Sequence, residues 1–208
     1  MNQQQFQKAA NISAGLAARW FQPVADAMQE FGIITPLDQA MFIAHVGHES
    51  NSFSSLTESF NYSIKGLAGF VSAGRLTQYQ ADMLGRKSYE KVLPLERQLN
   101  IANLVYGNRF GNRAGGDGWK YRGRGLIAIT FLDNYADCGT ALKLDLVGHP
   151  ELLEQDVNAA RSAAWFYVNK GCLKYSGNLL RVSQLINGGN NGLDDRCDRF
   201  IQAKKVLV

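Results

Sequence analysis

The dipeptide Thr35-Pro36 constrains this chain more than any other feature, because it fixes where one helix begins and so where it must end. A threonine can cap free backbone N–H groups, a proline suits the first helical position, and Asp38 adds favourable charge in the first turn. From there Leu37, Ala40, Met41, Ala44 and His48 recur at the i, i+3, i+4 spacing of one buried face, until Ser50-Asn51-Ser52 stops the pattern. The helix is expected to close on Glu49, and the polar loop beyond it carries a second carboxylate, Glu58. The negative end of the helix dipole, together with partial burial against Phe42 or Phe53, disfavours an ionised Glu49. Glu58 lies in TESFNYS, among hydroxyl and amide groups that can hydrogen-bond a carboxylate, and is expected to stay charged near neutral pH. Environments that separate two carboxyl groups in this way assign an acid and a base, as glycoside hydrolysis requires. Two solvated surface acids are the plainer reading of the same residues.

The composition fits an ordered globular chain: 208 residues with 46% hydrophobic and 19% charged residues are enough for one core, or for two lobes sharing a cleft. The net charge of +4 favours an anionic partner, but the basic residues are scattered without a run that would suit nucleic acid, and an anionic wall glycan fits equally well. The N-terminal MNQQQFQKAANISAGLAARW lacks a basic start followed by an apolar region, so no export signal and no stable membrane insertion are expected. Cys138, Cys172 and Cys197 allow one disulfide at most, suggest a reducing compartment, and form no CxxC pair that would suit a metal.

Helical periodicity dominates the chain. Residues 3–31 read as one or two helices, with Pro23 as a break or new start. Short helical patterns follow at 64–71, 77–84 and 94–106, and the stretch 107–125 holds too many glycines for a continuous helix. Leu126 to Phe131 is the strongest β-like segment. Helices are then expected from Asp133 or Asp137 through Ala141, after Pro150, and across 159–168, 179–186 and 193–206. These elements predict a mainly α fold of two lobes with a small β element. It forms one catalytic domain over 1–208, with a smaller helical lobe at about 68–118.

Three segments together carry a resemblance: AHVGHESNSF at 44–53, YRGRGLIAITFLDNY at 121–135 and INGGNNGLDDR at 186–196. Over roughly Thr35 to Lys204 the chain resembles glycoside hydrolase family 19, the chitinase-like family that includes phage endolysins, and its length and few cysteines look like the phage branch. The resemblance implies a lysozyme-like two-lobed α+β fold and an inverting mechanism without a cofactor. Glu49 falls on the general acid and Glu58 on the base that activates water. Thr130 falls on the hydroxyl that positions that water. His48, Tyr62, Asn134 and Asn187 fall on substrate-binding positions, and Arg196 on an arginine beside the acid. One departure is Ala128, where the family usually has glutamine, which alters the expected sugar contacts. The endolysin branch further implies a monomer that acts on peptidoglycan glycan strands. It would accumulate in the host cytoplasm and reach the wall after a separate protein has permeabilised the membrane.

Plainer readings stand beside these. His45 and His48 are three apart rather than the i, i+4 pair of a helical zinc motif, and His149 sits in a turn, so no metal is expected. Thr130 can end a strand and Asn187 can cap a helix. Arg122 and Arg124 suit a cleft lining or a surface ion pair, and Trp119 and Tyr121 suit sugar stacking or core packing. Other functions are open as well. The chain could be a chitinase of the same fold, a silent glycan-binding protein, or a membrane disruptor acting through the amphipathic segment 193–208, although Asp194, Asp195 and Asp198 weaken its cationic face.

Overall fold

Helices form where caps and periodicity place them. The computed structural model describes residues 1–208. Its elements run α1 (Gln3–Ala10), α2 (Ala14–Glu30), α3 (Pro36–Glu49), α4 (Ala68–Ser72), α5 (Gln78–Leu84), α6 (Leu95–Tyr106), α7 (Asp117–Lys120), α8 (Leu132–Leu142), α9 (Asp156–Asn169), α10 (Leu179–Asn187) and α11 (Leu193–Leu207), with 3-10 turns at 65–67, 150–154 and 172–175. Thr35 Oγ1 accepts the Asp38 N–H at 3.1 Å and donates to its carboxylate at 2.6 Å, so α3 starts at the expected cap. Ladder pairing is confined to isolated bridges such as Ser63 with Arg86 and Arg109 with Asn112.

Three local expectations are corrected. Pro23 lies inside α2 and does not break it, because Trp20, Val24, Ala27 and Met28 bury one face on both sides of it and offset the lost hydrogen bond. The break falls instead at Asn11, in left-handed conformation, and Ser13, which caps α2. Residues 126–131 form no strand. Gly125 (φ 90°) and Phe131 (φ 75°) bracket a turn, and Leu126, Ile127 and Ile129 are buried without the alternation of a pleated strand. Finally, α3 is buried nearly all round, from Ala40 through Gly47, whereas His48 is only part-buried.

The chain divides into two compact units, Met1–Leu56 with Arg124–Ala128 and Cys138–Val208, and Thr57–Gly123 with Ile129–Asp137. In the first, α3 is the central helix, packed by α11, α1 and α9. Its core includes Phe6, Trp20, Phe42, Phe53, Tyr167 and Phe200, and the Phe42 and Tyr167 rings meet edge-on at 5.4 Å. Because α11 buries Phe200 and Ala203 in this core, its apolar face is committed to the fold and not offered to a membrane. The second unit has its own core of Phe60, Leu67, Leu76, Ala81, Leu93, Ile101, Ala102 and Val105. Trp119 packs on that core at 6.1 Å from Phe60, and Tyr121 is buried against Tyr135. Tyr121 is therefore committed to packing, whereas Trp119 keeps part of its surface exposed. No helix is long and apolar enough to cross a membrane.

Close approach of α6 and α7 depends on Gly118, where a Cβ would lie 2.6 Å from the Asn103 Cα. Gly118→Ala should cost about 1–3 kcal/mol by overpacking. Gly115→Ala, whose Cβ would meet nothing within 4 Å, should stay within about 0.5 kcal/mol. Urea denaturation of the two variants checks the contrast.

Candidate active site

The first unit presents Glu49 at the last residue of α3, directly before a reversal in which Asn51, Ser52 and Phe53 take φ of 49°, 57° and 64°. Three consecutive left-handed residues without glycine are strained by about 1–2 kcal/mol each. The turn is held by Ser50 Oγ, which donates to Val46 O at 2.7 Å and accepts the Phe53 N–H at 2.9 Å, and by Trp20 Nε1, which donates to Phe53 O at 3.0 Å. Arg199 Nη1 donates to Ser52 Oγ at 3.0 Å. Burial of the Phe53 ring against Phe6, at 5.5 Å, supplies the compensating packing.

Glu49 is part-buried, and its carboxylate meets a charged partner that the local sequence did not show. Its Oε1 accepts from Arg196 Nη2 at 2.5 Å, with the arginine side chain 2% and the glutamate side chain 23% exposed. Arg196 Nε and Nη1 are buried and find no protein acceptor, so the one carboxylate bond is what compensates this guanidinium. Beside it, His48 Nδ1 meets Asp195 Oδ2 at 2.6 Å, and the same carboxylate oxygen accepts from Arg199 Nε at 2.7 Å. His45, the other histidine of the helix, is buried with its ring nitrogens on Met41 O and Ser183 Oγ; burial lowers its pKa to about 4 and keeps it neutral. Asn187 is engaged in its own loop, with Nδ2 donating to Asn191 O and Oδ1 accepting the Gly189 N–H, both at 2.8 Å.

The second unit presents Glu58. Its backbone N–H donates to Gly123 O at 2.9 Å, its Oε2 accepts the Gly123 N–H at 3.1 Å, and its Oε1 accepts from the Tyr106 hydroxyl at 2.7 Å. Polar partners are present as the sequence suggested, but they do not decide its charge. Burial is the largest influence and raises the Glu58 pKa, against the Tyr106 and Gly123 hydrogen bonds and the nearby Arg122 charge, which favour the ionised form. The polar setting expected for Glu58 is present, and desolvation, which the sequence did not show, raises its pKa against those bonds. Tyr62 lies close enough for Glu58 to help raise the tyrosine pKa, after burial. Asn134 Nδ2 donates to Thr130 O at 2.7 Å, which ties those two predicted residues together.

Thus the structure gathers Glu49, His48 and Arg196 in one unit, and Glu58 and Tyr62 in the other. Sequence reasoning missed Tyr106 and Asp195. Tyr106 is 48 residues from the carboxylate it bonds, and nothing in its local pattern marks it as more than the end of a helix. Asp195 did carry a signal, as the residue directly before Arg196 in the motif INGGNNGLDDR.

Breaking the buried pair is expected to be costly. Glu49→Ala, which strands Arg196, should lose about 3–5 kcal/mol, and Glu49→Gln, which keeps an oxygen for Nη2, should lose less. Thermal and urea unfolding of both variants measure the difference.

Comparison with known proteins places these observations. The family model described as Chitinase class I matches residues 96–196, a span that holds Thr130, Asn134, Asn187 and Arg196 and begins after the two glutamates. A glycosyl hydrolase family 19 domain-containing protein of Haemophilus influenzae is 37% identical over 185 residues, covering 86% of this chain and 85% of that protein. Chitinase 11 of Oryza sativa subsp. japonica is 34% identical over 88 residues, covering 42% of this chain and 34% of that protein. Chitinase C from Streptomyces griseus superposes with a TM-score of 0.58 at 18% identity, over 99% of this chain and 76% of that one. A bacterial family 19 chitinase superposes with a TM-score of 0.51 at 21% identity, over 99% and 94%. The two structures share the fold, and the full-length likeness to the Haemophilus protein carries the relationship: the chain belongs to glycoside hydrolase family 19.

Proposed function

We propose that this glycoside hydrolase is a phage endolysin that cleaves β-1,4 bonds in the glycan strands of bacterial peptidoglycan with inversion. The observation that carries the chemistry is Glu58, a desolvated carboxylate gripped through both oxygens. A general base works best when its proton affinity approaches the working pH, and burial moves Glu58 in that direction while the Tyr106 and Gly123 bonds fix its orientation. Glu49 protonates the leaving oxygen, and Arg196, bonded to it, stabilises the carboxylate that proton donation leaves behind. Glu58 takes the proton of the attacking water, with Thr130 helping to place that water. Inversion requires the two carboxyl groups to stand about 6.5–9.5 Å apart across the sugar. His48, Tyr62, Asn134 and Asn187 bind the substrate. The net charge of +4 suits an anionic wall polymer. On this reading the protein acts as a monomer, is made in the host cytoplasm, and meets its substrate once a separate membrane-permeabilising protein has opened the way.

Chitin is the second reading, favoured by the likeness to plant and bacterial chitinases. Digestion of purified peptidoglycan and of chitin oligomers, with the new reducing ends identified by mass spectrometry, separates the two. Wild type should release muropeptides ending in muramic acid or glucosamine, and Glu49→Gln should be slower by about 10²–10⁴-fold. Cleavage of chitin oligomers alone transfers the assignment to chitin, and release of peptides overturns it.

The pH profile tests the base. Activity should fall on the acid side as Glu58 gains a proton, at a pH above the ordinary carboxylate range. Tyr106→Phe removes a bond that favours the ionised form and should move that limb to still higher pH. A limb that stays in place would remove Glu58 from the base role.

A further inference from the structure

The second unit carries a recess of about 490 Å³ whose lining contains three cations, Lys65, Arg86 and Lys87, and no acidic residue. It is built on the segment that carries Glu58. Arg86 donates its backbone N–H to Tyr62 O at 2.9 Å and bridges in parallel to Ser63, so the recess is backed by the chain that continues from the Glu58 loop. Five residues separate Glu58 from Ser63, at most about 18 Å of extended chain. A glycan held at the recess therefore stays within a few sugar rings of that carboxylate.

The charges in the recess are not neutralised from within. Arg86 Nη1 donates to two backbone carbonyls, Glu90 O and Lys91 O, both at 3.2 Å, and its buried Nε finds no protein acceptor. Lys87 Nζ donates to the Asp82 carbonyl. Glu90, which feels the Lys87 charge, is itself committed, with Oε2 on the Lys87 N–H at 2.7 Å and Oε1 in a salt bridge to Arg97. Lys65 is exposed and makes no ion pair. At the rim Tyr89 is 83% exposed, and its ring has no aromatic neighbour within the unit. An exposed ring provides a face on which a pyranose can stack, and uncompensated cations beside it select a sugar that bears a negative group.

We infer that this recess binds a carboxylate-bearing saccharide unit of the substrate, with Tyr89 stacking on the ring and Lys65, Arg86 and Lys87 receiving the carboxylate. The inference rests on the peptidoglycan reading and sharpens it, because a neutral chitin chain offers no such group. In peptidoglycan the carboxylate has two sources, the lactyl ether of a peptide-free muramic residue and the stem peptide of a substituted one.

Binding can be read apart from catalysis. Amide shifts of ¹⁵N-labelled wild-type protein should move at residues 63–65 and 86–89 on titration with N-acetylmuramic acid if the lactyl carboxylate is the ligand, or with muramyl dipeptide alone if the stem carboxylate is. N-acetylglucosamine should leave them in place. Lys65→Ala and Tyr89→Ala, both at exposed positions, should each weaken binding at least 5-fold. They should raise KM for peptidoglycan by a similar factor with kcat unchanged, and Lys65→Ala, which removes only a charge, should leave chitin-oligomer kinetics unaltered. Equal shifts with N-acetylglucosamine, or none with either muramyl probe, would overturn the recess as an anion site even where peptidoglycan is cleaved. If only chitin is cleaved while the muramyl shifts persist, the peptidoglycan reading fails and the anion site stands.

Discussion

The reversal at Asn51, Ser52 and Phe53 is the constraint on which the placement of Glu49 depends. α3 is buried nearly all round and so cannot present a reactive carboxylate along its length; only its end is available. Turning the chain there takes three left-handed residues without a glycine, strain that would collapse if the Phe53 ring were not locked against Phe6 and Trp20 and its carbonyl not held by the indole N–H. The hydrophobic core of the first unit thereby fixes the position of Glu49. A core substitution at Trp20 or Phe53 acts on the acid although neither side chain is polar.

The second constraint is electrostatic and falls differently on the two acids. Glu49 meets a buried guanidinium that has no other protein acceptor, so opposite charge dominates its surroundings. Glu58 meets a hydroxyl and an amide in a setting where desolvation outweighs them. Local sequence showed neither bonding partner: Arg196 lies 147 residues from Glu49, and Tyr106 lies 48 from Glu58.

This marks the boundary of what was legible. The bounds of α3, α5 and α6 and the C-terminal helices followed from caps and periodicity, which are local: Thr35 and Thr77 cap their own helices through the backbone N–H three residues on. The choice of Glu49, Glu58 and Arg196 rested on motif resemblance, and the structure brings Glu49 and Arg196 into contact. Pro23 and the segment 126–131 misled because propensity is a weak local term. In the first case burial of one helix face overrode it, and in the second two positive-φ residues bracketed a turn that β-forming side chains could still fill. The upward shift of Glu58 was not legible, since it depends on how much water is excluded, and although Asp195 stood beside Arg196 in a motif, its bond to His48 arises only from the packing of α11 on α3.

Gly192 shows how the two levels meet. In the sequence it is one glycine among several punctuating the last two helices. In the structure it sits at φ 69°, caps the start of α11, and any Cβ there would overlap the His48 ring. The ring is therefore gripped from two directions, by the bare Gly192 backbone and by Asp195 on Nδ1, and it stands one residue before Glu49. Asp195 in turn holds Arg199, which bonds Ser52 inside the strained reversal. A backbone position that only glycine can fill thus sets the packing of α11 against α3, and through His48, Asp195 and Arg199 it holds the turn that presents Glu49.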